Sequence, residues 1–348
     1  MRLGYTARML SLLALTSVGW SQSILLVGNS YTFFNDLDRT SIALLEAGAP
    51  ADWAGGQGAK LAGGGLTFEA HLANTQDKKS PWYRALASGD QAWDWVVLQE
   101  QSQIPGFPET NPDNQSSVVA AAGLDDLVEA RGGETVFLMT WGRREGDALN
   151  ESLFPDFSTM QERLQEGYLR YRDETGTDAR PTWIAPAGLA FAHIHDGIVT
   201  DGGDPLAAES LFSSLYTDDG SHPSPFGTYL TASVIYVTVT GESAVGLPDP
   251  SGAIEATILQ QLQEAADAAV FGSTKLLDYP WETDTPDPED TGEPDSGTPD
   301  TSDPSQDTDE DTDEPDTAGE DLDKSGCRSG GAALFVGALS LLGWRRRA

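Results

Sequence analysis

A chain of 348 residues has room for one substantial domain or two small ones. Its formal charge of −35 repels polyanions, which excludes nucleic-acid binding that depends on Lys and Arg neutralising phosphates. Its single cysteine, Cys327, excludes an internal disulfide and a Cys-based metal site.

Arg2 and Arg8 precede an apolar stretch at 9–18, and Gly19-Trp20-Ser21 supplies small residues where a signal peptidase reads, so 1–21 is expected to be an export leader cleaved after Ser21. The folded domain is then expected over 22–275. Residues 24–27 form a buried-type strand that runs into Gly28-Asn29-Ser30 and a helix-like stretch. A helix is expected at 36–46, with Leu37, Ile42, Leu44 and Leu45 at helical spacing. A second strand is expected between 53 and 61, and short helices at 66–72 and 81–88. Strands follow at 95–98, 135–140 and 182–185, separated by amphipathic helices at 115–130 and 157–172. Helices at 225–240 and 253–269 close the domain, although the Val-, Ile- and Thr-rich stretch 234–240 also suits a strand. Strands alternating with helices imply parallel strands covered on both faces, with ligands at the carboxyl ends of the strands.

Residues 276–324 differ in kind. Between positions 282 and 323 there are 19 acidic residues and no Lys or Arg, so this tract carries more than half of the net charge. It cannot bury enough apolar surface to offset the entropy of ordering, and is expected to be a disordered spacer. Its Asp-Thr-Asp triplets lack the glycine-turn spacing of a calcium loop. In 325–348, Cys327 and a glycine pair precede an apolar run too short to span a bilayer well, ended by Arg345-Arg346-Arg347. This combination resembles the C-terminal sorting tails of myxobacterial surface proteins. The resemblance implies processing near Cys327 by sorting machinery, membrane contact only through this segment, and a protein at the cell surface, associated with the outer membrane or released.

The chemistry-bearing residues fall outside these tails. A serine hydroxyl is a weak nucleophile until a base takes its proton. Ser30 follows the carboxyl end of the first strand, and Asp219-Gly220-Ser221-His222-Pro223 places a carboxylate three residues before an imidazole. Nucleophile, orienting acid and base thus occur in the order Ser30, Asp219, His222. The chain has four histidines; His71 lies in an early helix, and the pair His193 and His195 has no Cys or carboxylate cluster to complete a metal site. No metal and no cofactor are expected. Acyl transfer also needs donors aimed at the developing oxyanion. The candidates are the Ser30 N–H, a glycine N–H from Gly63-Gly64-Gly65 with Gly64 and Gly65 favoured, and an amide from Gln99 or Gln101, of which Gln101 is preferred.

The Gly28-Asn29-Ser30 turn, a glycine after the second strand, an amide after the third and Asp219-x-x-His222 together resemble the four blocks of the SGNH (GDSL-type) hydrolase superfamily. The resemblance covers about Ser23 to Gly272. Val97 to Ser102 and Thr140-Trp141-Gly142-Arg143-Arg144 also resemble a bacterial subgroup of it. It implies a three-layer α/β/α sandwich with a mostly parallel five-stranded sheet, a flavodoxin-like fold. It also implies cofactor-free ester hydrolysis with Ser30, His222 and Asp219 as triad. Two positions depart from the pattern: Asn29 stands where Asp is usual, and glutamine where the third block carries asparagine. Polar loops and scattered tryptophans (Trp53, Trp82, Trp93, Trp141) suggest a small acyl ester, acetyl on a polysaccharide, as substrate. The rival readings are an acyltransferase on the same triad and a non-catalytic carbohydrate-binding surface protein.

Overall fold

The computed structural model describes residues 21–282 except 178 and 274; residues 1–20 of the expected leader, the expected linker beyond Glu282 and the Cys327 segment lie outside them. The described residues belong to the first of two units, Met1–Asp290. The strands are β1 (Ser23–Gly28), β2 (Gln57–Ala62), β3 (Trp95–Leu98), β4 (Glu134–Leu138) and β5 (Trp183–Ala185). All pair in parallel in the order β2-β1-β3-β4-β5. Ile24 to Val27 and Val96 to Leu98 are buried throughout, as central parallel strands covered on both faces must be.

The helices are α1 (Ser30–Phe33), α2 (Leu37–Gly48), α3 (Pro50–Trp53), α4 (Phe68–Asn74), α5 (Pro112–Glu129), α6 (Phe157–Thr175), α7 (Ala187–Thr200), α8 (Leu211–Ser214), α9 (Pro225–Thr240) and α10 (Ala256–Phe271). One layer packs α2, α7, α9 and α10 together; the other packs α4, α5 and α6. This is the expected three-layer α/β/α sandwich, its sheet wholly parallel. The strand order reverses direction between β1 and β3, and the crevice at their carboxyl ends is where such sheets bind ligands.

Several expectations change in detail. The second strand starts at Gln57, because Pro50 opens the short helix α3, which buries Trp53, and Gly55 (φ 74°) turns the chain before β2. Residues 225–240 form the expected helix, the stretch 234–240 included. Ser224 Oγ accepts from the N–H groups of Phe226 and Gly227, Pro225 fills the first helical position, and Gly241 ends the helix in the left-handed region (φ 71°). A helix apolar on every side must be buried, and α9 is. It packs chiefly against α2, α7 and α10, with a smaller contact to β5. The last helix begins three residues late because the Asp249 carboxylate accepts from the N–H groups of Ala253 and Ile254 and holds them in a turn. Helix α7 was not anticipated, although Ala187, Ala190, Phe191 and Ile194 form its buried face. Packing continues past residue 275: Leu277 and Tyr279 are buried, and Tyr279 stacks on Trp281.

Candidate active site

Ser30 is placed by the turn before it. Gly28 ends β1, and an added Cβ there would collide with the Thr32 hydroxyl and the Gln99 amide oxygen, so the close approach requires glycine. Asn29 caps α1: its Oδ1 accepts from Tyr31 N–H (3.1 Å), and its Nδ2 donates to the carbonyls of Leu66 (3.2 Å) and Glu100 (3.3 Å). An aspartate in this pose could not donate to either carbonyl, which is a structural reason for asparagine at this position. Ser30 is the first residue of α1, so its N–H has no acceptor within the helix.

The structure brings Ser30, His222 and Asp219 together. His222 Nε2 lies 2.8 Å from Ser30 Oγ, and Nδ1 lies 2.6 Å from Asp219 Oδ2. The other carboxylate oxygen of Asp219 accepts from the N–H groups of Ser221 (2.8 Å) and His222 (2.9 Å) and from the Thr217 hydroxyl (2.9 Å). Partial burial alone would raise the Asp219 carboxyl. The hydrogen bonds from the His222 ring, from the two backbone N–H groups and from Thr217 outweigh burial and hold it well below the usual carboxylate range. The imidazole is half-buried, stacked on Phe34 (centroids 4.4 Å apart, planes 17° apart) and met edge-on by Tyr31. Tyr31 in turn stacks on Trp141, and Trp141 on Phe191.

The proposed oxyanion donors fall at neighbouring strand ends. Gly28 is the register partner of Ala62, so the Gly63-Gly64-Gly65 turn begins beside the serine turn. It is closed by Leu66 N–H on the Gly63 carbonyl (3.2 Å), and Gly65 takes φ 67°. The two glutamines have different surroundings. Gln99 is buried under the serine turn, where its Oε1 accepts from Asn29 N–H (3.0 Å) and Thr32 Oγ1 (2.9 Å) and its Nε2 donates to the Glu100 carbonyl. That amide braces the serine turn from below. Gln101 is half-buried, and its Nε2 donates to Gln103 Oε1 (3.0 Å) while its Oε1 accepts from Gln103 N–H (2.8 Å). Each amide therefore commits one hydrogen to another acceptor.

Between them stands Glu100, to which the sequence reading gave no role. It is fully buried; both carboxylate oxygens accept from Phe68 N–H at 3.0 Å, one accepts from Gln101 N–H at 2.5 Å, and the Ser117 hydroxyl donates to the other. Glu100 thus ties the end of β3 to the start of α4, just after the glycine turn. Burial pushes its carboxyl up to about 7, against the opposing pull of Ser117, Gln101 N–H and Phe68 N–H. A carboxyl raised on folding keeps its proton in the native state over a range where the unfolded chain has lost it. Stability therefore falls as pH climbs from about 4.5 to about 7, by about 2–4 kcal/mol if this group acts alone. Urea midpoints at pH 5 and pH 8 are expected to differ accordingly, and Glu100→Gln is expected to flatten that slope. An unchanged slope in the variant would assign the dependence elsewhere.

The remaining histidines lie apart. His71 is buried on α4, accepts from Trp82 Nε1 at 2.8 Å, and is pushed down to about 4 by burial. His195 Nδ1 lies 2.7 Å from Asp196, and its ring packs on Phe157 and Phe212. The tryptophans do not form a sugar platform: Trp53, Trp93 and Trp141 are buried, and Trp82 is engaged with His71. Trp53, Trp93 and Trp141 are core residues, and Trp82 is partly buried against the core.

A cleft of about 450 Å³ opens on the Asp219 side of the triad, lined by Arg143, Arg144, Glu145, Asp147, Leu149 and Glu151 among others. Its wall is braced by buried Asp147, which accepts from Arg143 (2.6 Å), Leu149 N–H (3.1 Å), Asn150 (2.7 Å) and Gln103. Through Gln103 this brace reaches Gln101.

No family model matches the chain, and no curated protein does. Solved structures do. A Slackia heliotrinireducens protein, provisionally described as an SGNH hydrolase, is 26% identical with a TM-score of 0.45, over 62% of this chain and 97% of its own. A DUF4886 family protein from Bacteroides uniformis is 16% identical with a TM-score of 0.54, over 72% of this chain and 95% of its own. An acetylxylan esterase from Geobacillus stearothermophilus is 13% identical with a TM-score of 0.40, over 63% and 92%. The likeness to the Bacteroides uniformis protein is one of fold, the α/β/α sandwich described above.

Proposed function

We propose that the protein is a serine esterase that hydrolyses small acyl esters of polar alcohols. The observation that carries this reading is the continuous chain Ser30 Oγ, His222 Nε2, His222 Nδ1, Asp219 Oδ2, with links of 2.8 and 2.6 Å. With Nδ1 donating to Asp219, Nε2 is free to accept the serine proton. As Oγ attacks the ester carbonyl, the proton passes to Nε2 and the carbonyl oxygen becomes an oxyanion. The Ser30 N–H and a donor of the glycine turn are the groups we assign to it. His222 then returns the proton to the departing alkoxide, leaving an acyl-serine. Water attacks that ester with His222 again as base; the bond from the acyl carbon to Ser30 Oγ breaks, His222 returns the proton to Oγ, and the acid departs.

The substrate class rests on the cleft. Its lining includes the charged side chains of Arg143, Arg144, Glu145, Glu151 and Asp218, with Leu149 and Phe154 the large apolar ones, which favours a hydrophilic alcohol over an acyl tail of many carbons. In an ester panel, p-nitrophenyl acetate and propionate are expected to turn over at least about tenfold faster in kcat/KM than the decanoate, about 1.4 kcal/mol of transition-state preference. A decanoate preference would contradict the substrate class without touching the triad. Release of free acetate, rather than its transfer to an added glycan, separates hydrolase from transferase.

A further inference from the structure

We infer that Asn35 is a positioning residue that clasps the histidine loop to the nucleophile segment. The inference rests on the triad assignment above and adds a residue to it.

The His222 loop is held chiefly to itself. Thr217 N–H donates to the His222 carbonyl (2.9 Å), Ser224 N–H to the Leu215 carbonyl (2.8 Å), and Tyr216 bridges to Pro223. Further ties run to the loop after β4: Arg144 N–H to the Gly220 carbonyl (2.8 Å), and the Tyr216 hydroxyl to the Gly142 carbonyl (2.7 Å). None of these touches the serine side. On the near side of the histidine, Tyr31 OH meets Ser221 Oγ at 2.7 Å. On the far side, Asn35 Nδ2 donates to the Pro223 carbonyl (3.0 Å) and to Thr228 Oγ1 (2.9 Å). Residues 221 and 223 are thereby tied, one on each side of His222, to the segment that carries Ser30.

The backbone at Asn35 is unusual. Asn35 (φ 51°, ψ 24°) and Asp36 (φ 54°, ψ 57°) are consecutive left-handed residues, the only non-glycine residues with positive φ among those described. Such a pair costs energy, and asparagine and aspartate bear it better than most residues. Asp36 is anchored by Lys60 at 2.6 Å, while the reversal turns the chain from α1 into α2 and presents the Asn35 amide to Pro223. The residue before it, Phe34, lies flat against the imidazole. Phe34 limits the ring from its face, and Asn35 fixes the backbone that carries the ring. A loop shift of about 1 Å would lengthen the Ser30–His222 bond beyond use, and misplacement of that size commonly costs about 10²-fold in rate.

The test uses two variants of the full protein. Asn35→Gly removes the amide and accepts positive φ freely; Asn35→Asp keeps the shape and the left-handed tolerance but has no donor for the Pro223 carbonyl. Turnover of p-nitrophenyl acetate is measured per folded molecule, with thermal melting to give the folded fraction. Both variants are expected to lose about 10- to 100-fold in kcat with KM within about twofold. A second readout needs no turnover: the downfield proton resonance of His222 Nδ1–H against Asp219, identified by its absence in His222→Ala, is expected to shift or broaden in both variants. Wild-type kcat together with an unchanged resonance in Asn35→Gly would overturn the clasp, as would a kcat loss that vanishes once folded fraction is counted. If the wild type itself hydrolyses no ester, the esterase reading fails, and the resonance still decides the clasp.

Discussion

Ser30→Ala is expected to lower kcat for p-nitrophenyl acetate by about 10⁴- to 10⁶-fold, the range seen when a triad nucleophile is removed. The substitution deletes one oxygen. Ser30 opens α1, where alanine is well tolerated, and the cap is supplied by Asn29, whose bonds to Tyr31, Leu66 and Glu100 do not involve the Ser30 side chain. The melting temperature is therefore expected to stay within a few degrees of wild type, on the order of the change produced by under 1 kcal/mol. Undiminished turnover in this variant would remove the nucleophile from the account.

Asp219→Asn has the second largest expected effect, about 10²- to 10⁴-fold in kcat. The surroundings of Asp219 decide which way the new amide faces. One carboxylate oxygen accepts from Ser221 N–H, His222 N–H and the Thr217 hydroxyl. The amide oxygen keeps that place, since an NH₂ group there would face donors. The NH₂ group is left against His222 Nδ1, where it donates. His222 must then carry its proton on Nε2, and a protonated Nε2 cannot accept from Ser30. The variant also loses the negative charge that stabilises the imidazolium. Because Asp219 is held well below the usual carboxylate range, wild-type activity is not expected to fall through its protonation anywhere above about pH 4. A nitrogen-15 spectrum of the His222 ring checks the tautomer. Wild-type kcat with the Nδ1–H tautomer retained would show that Asp219 does not orient the ring.

Much of this arrangement can be read in the chain before folding. An apolar strand that ends in Gly28-Asn29-Ser30 exposes a hydroxyl because central parallel strands of such sheets deliver their next residue to the crevice. The spacing of Asp219 and His222 is local, and local geometry survives any tertiary context that leaves the turn intact. The glutamines were less legible. Gln99 and Gln101 stand two apart after a strand, so neither pattern nor propensity says which is drawn beneath the serine turn. That depends on Thr32 and Asn29, about seventy residues earlier. The tryptophans misled for a related reason. Trp141 lies between Tyr31 and Phe191, and only the folded chain reveals that stack. Within helix α9 only the stretch 234–240 also suits a strand, because β-branched residues fit both states once burial is complete; Ser224, Pro225 and Gly241 carry the signal that decides for helix. Asn35 carries a faint signal of its own, since an Asn-Asp pair interrupting a helical run marks a left-handed reversal. Its partner at Pro223 lies 188 residues away.

Covalent labelling tests most directly whether Ser30 is the nucleophile. The full protein is treated with a fluorophosphonate, digested, and the adduct located by mass. One modified residue is expected, Ser30, with labelling abolished by Ser30→Ala and slowed by at least about 10²-fold in Asp219→Asn. An adduct at another serine, or a folded wild-type protein that takes no label, would contradict that assignment.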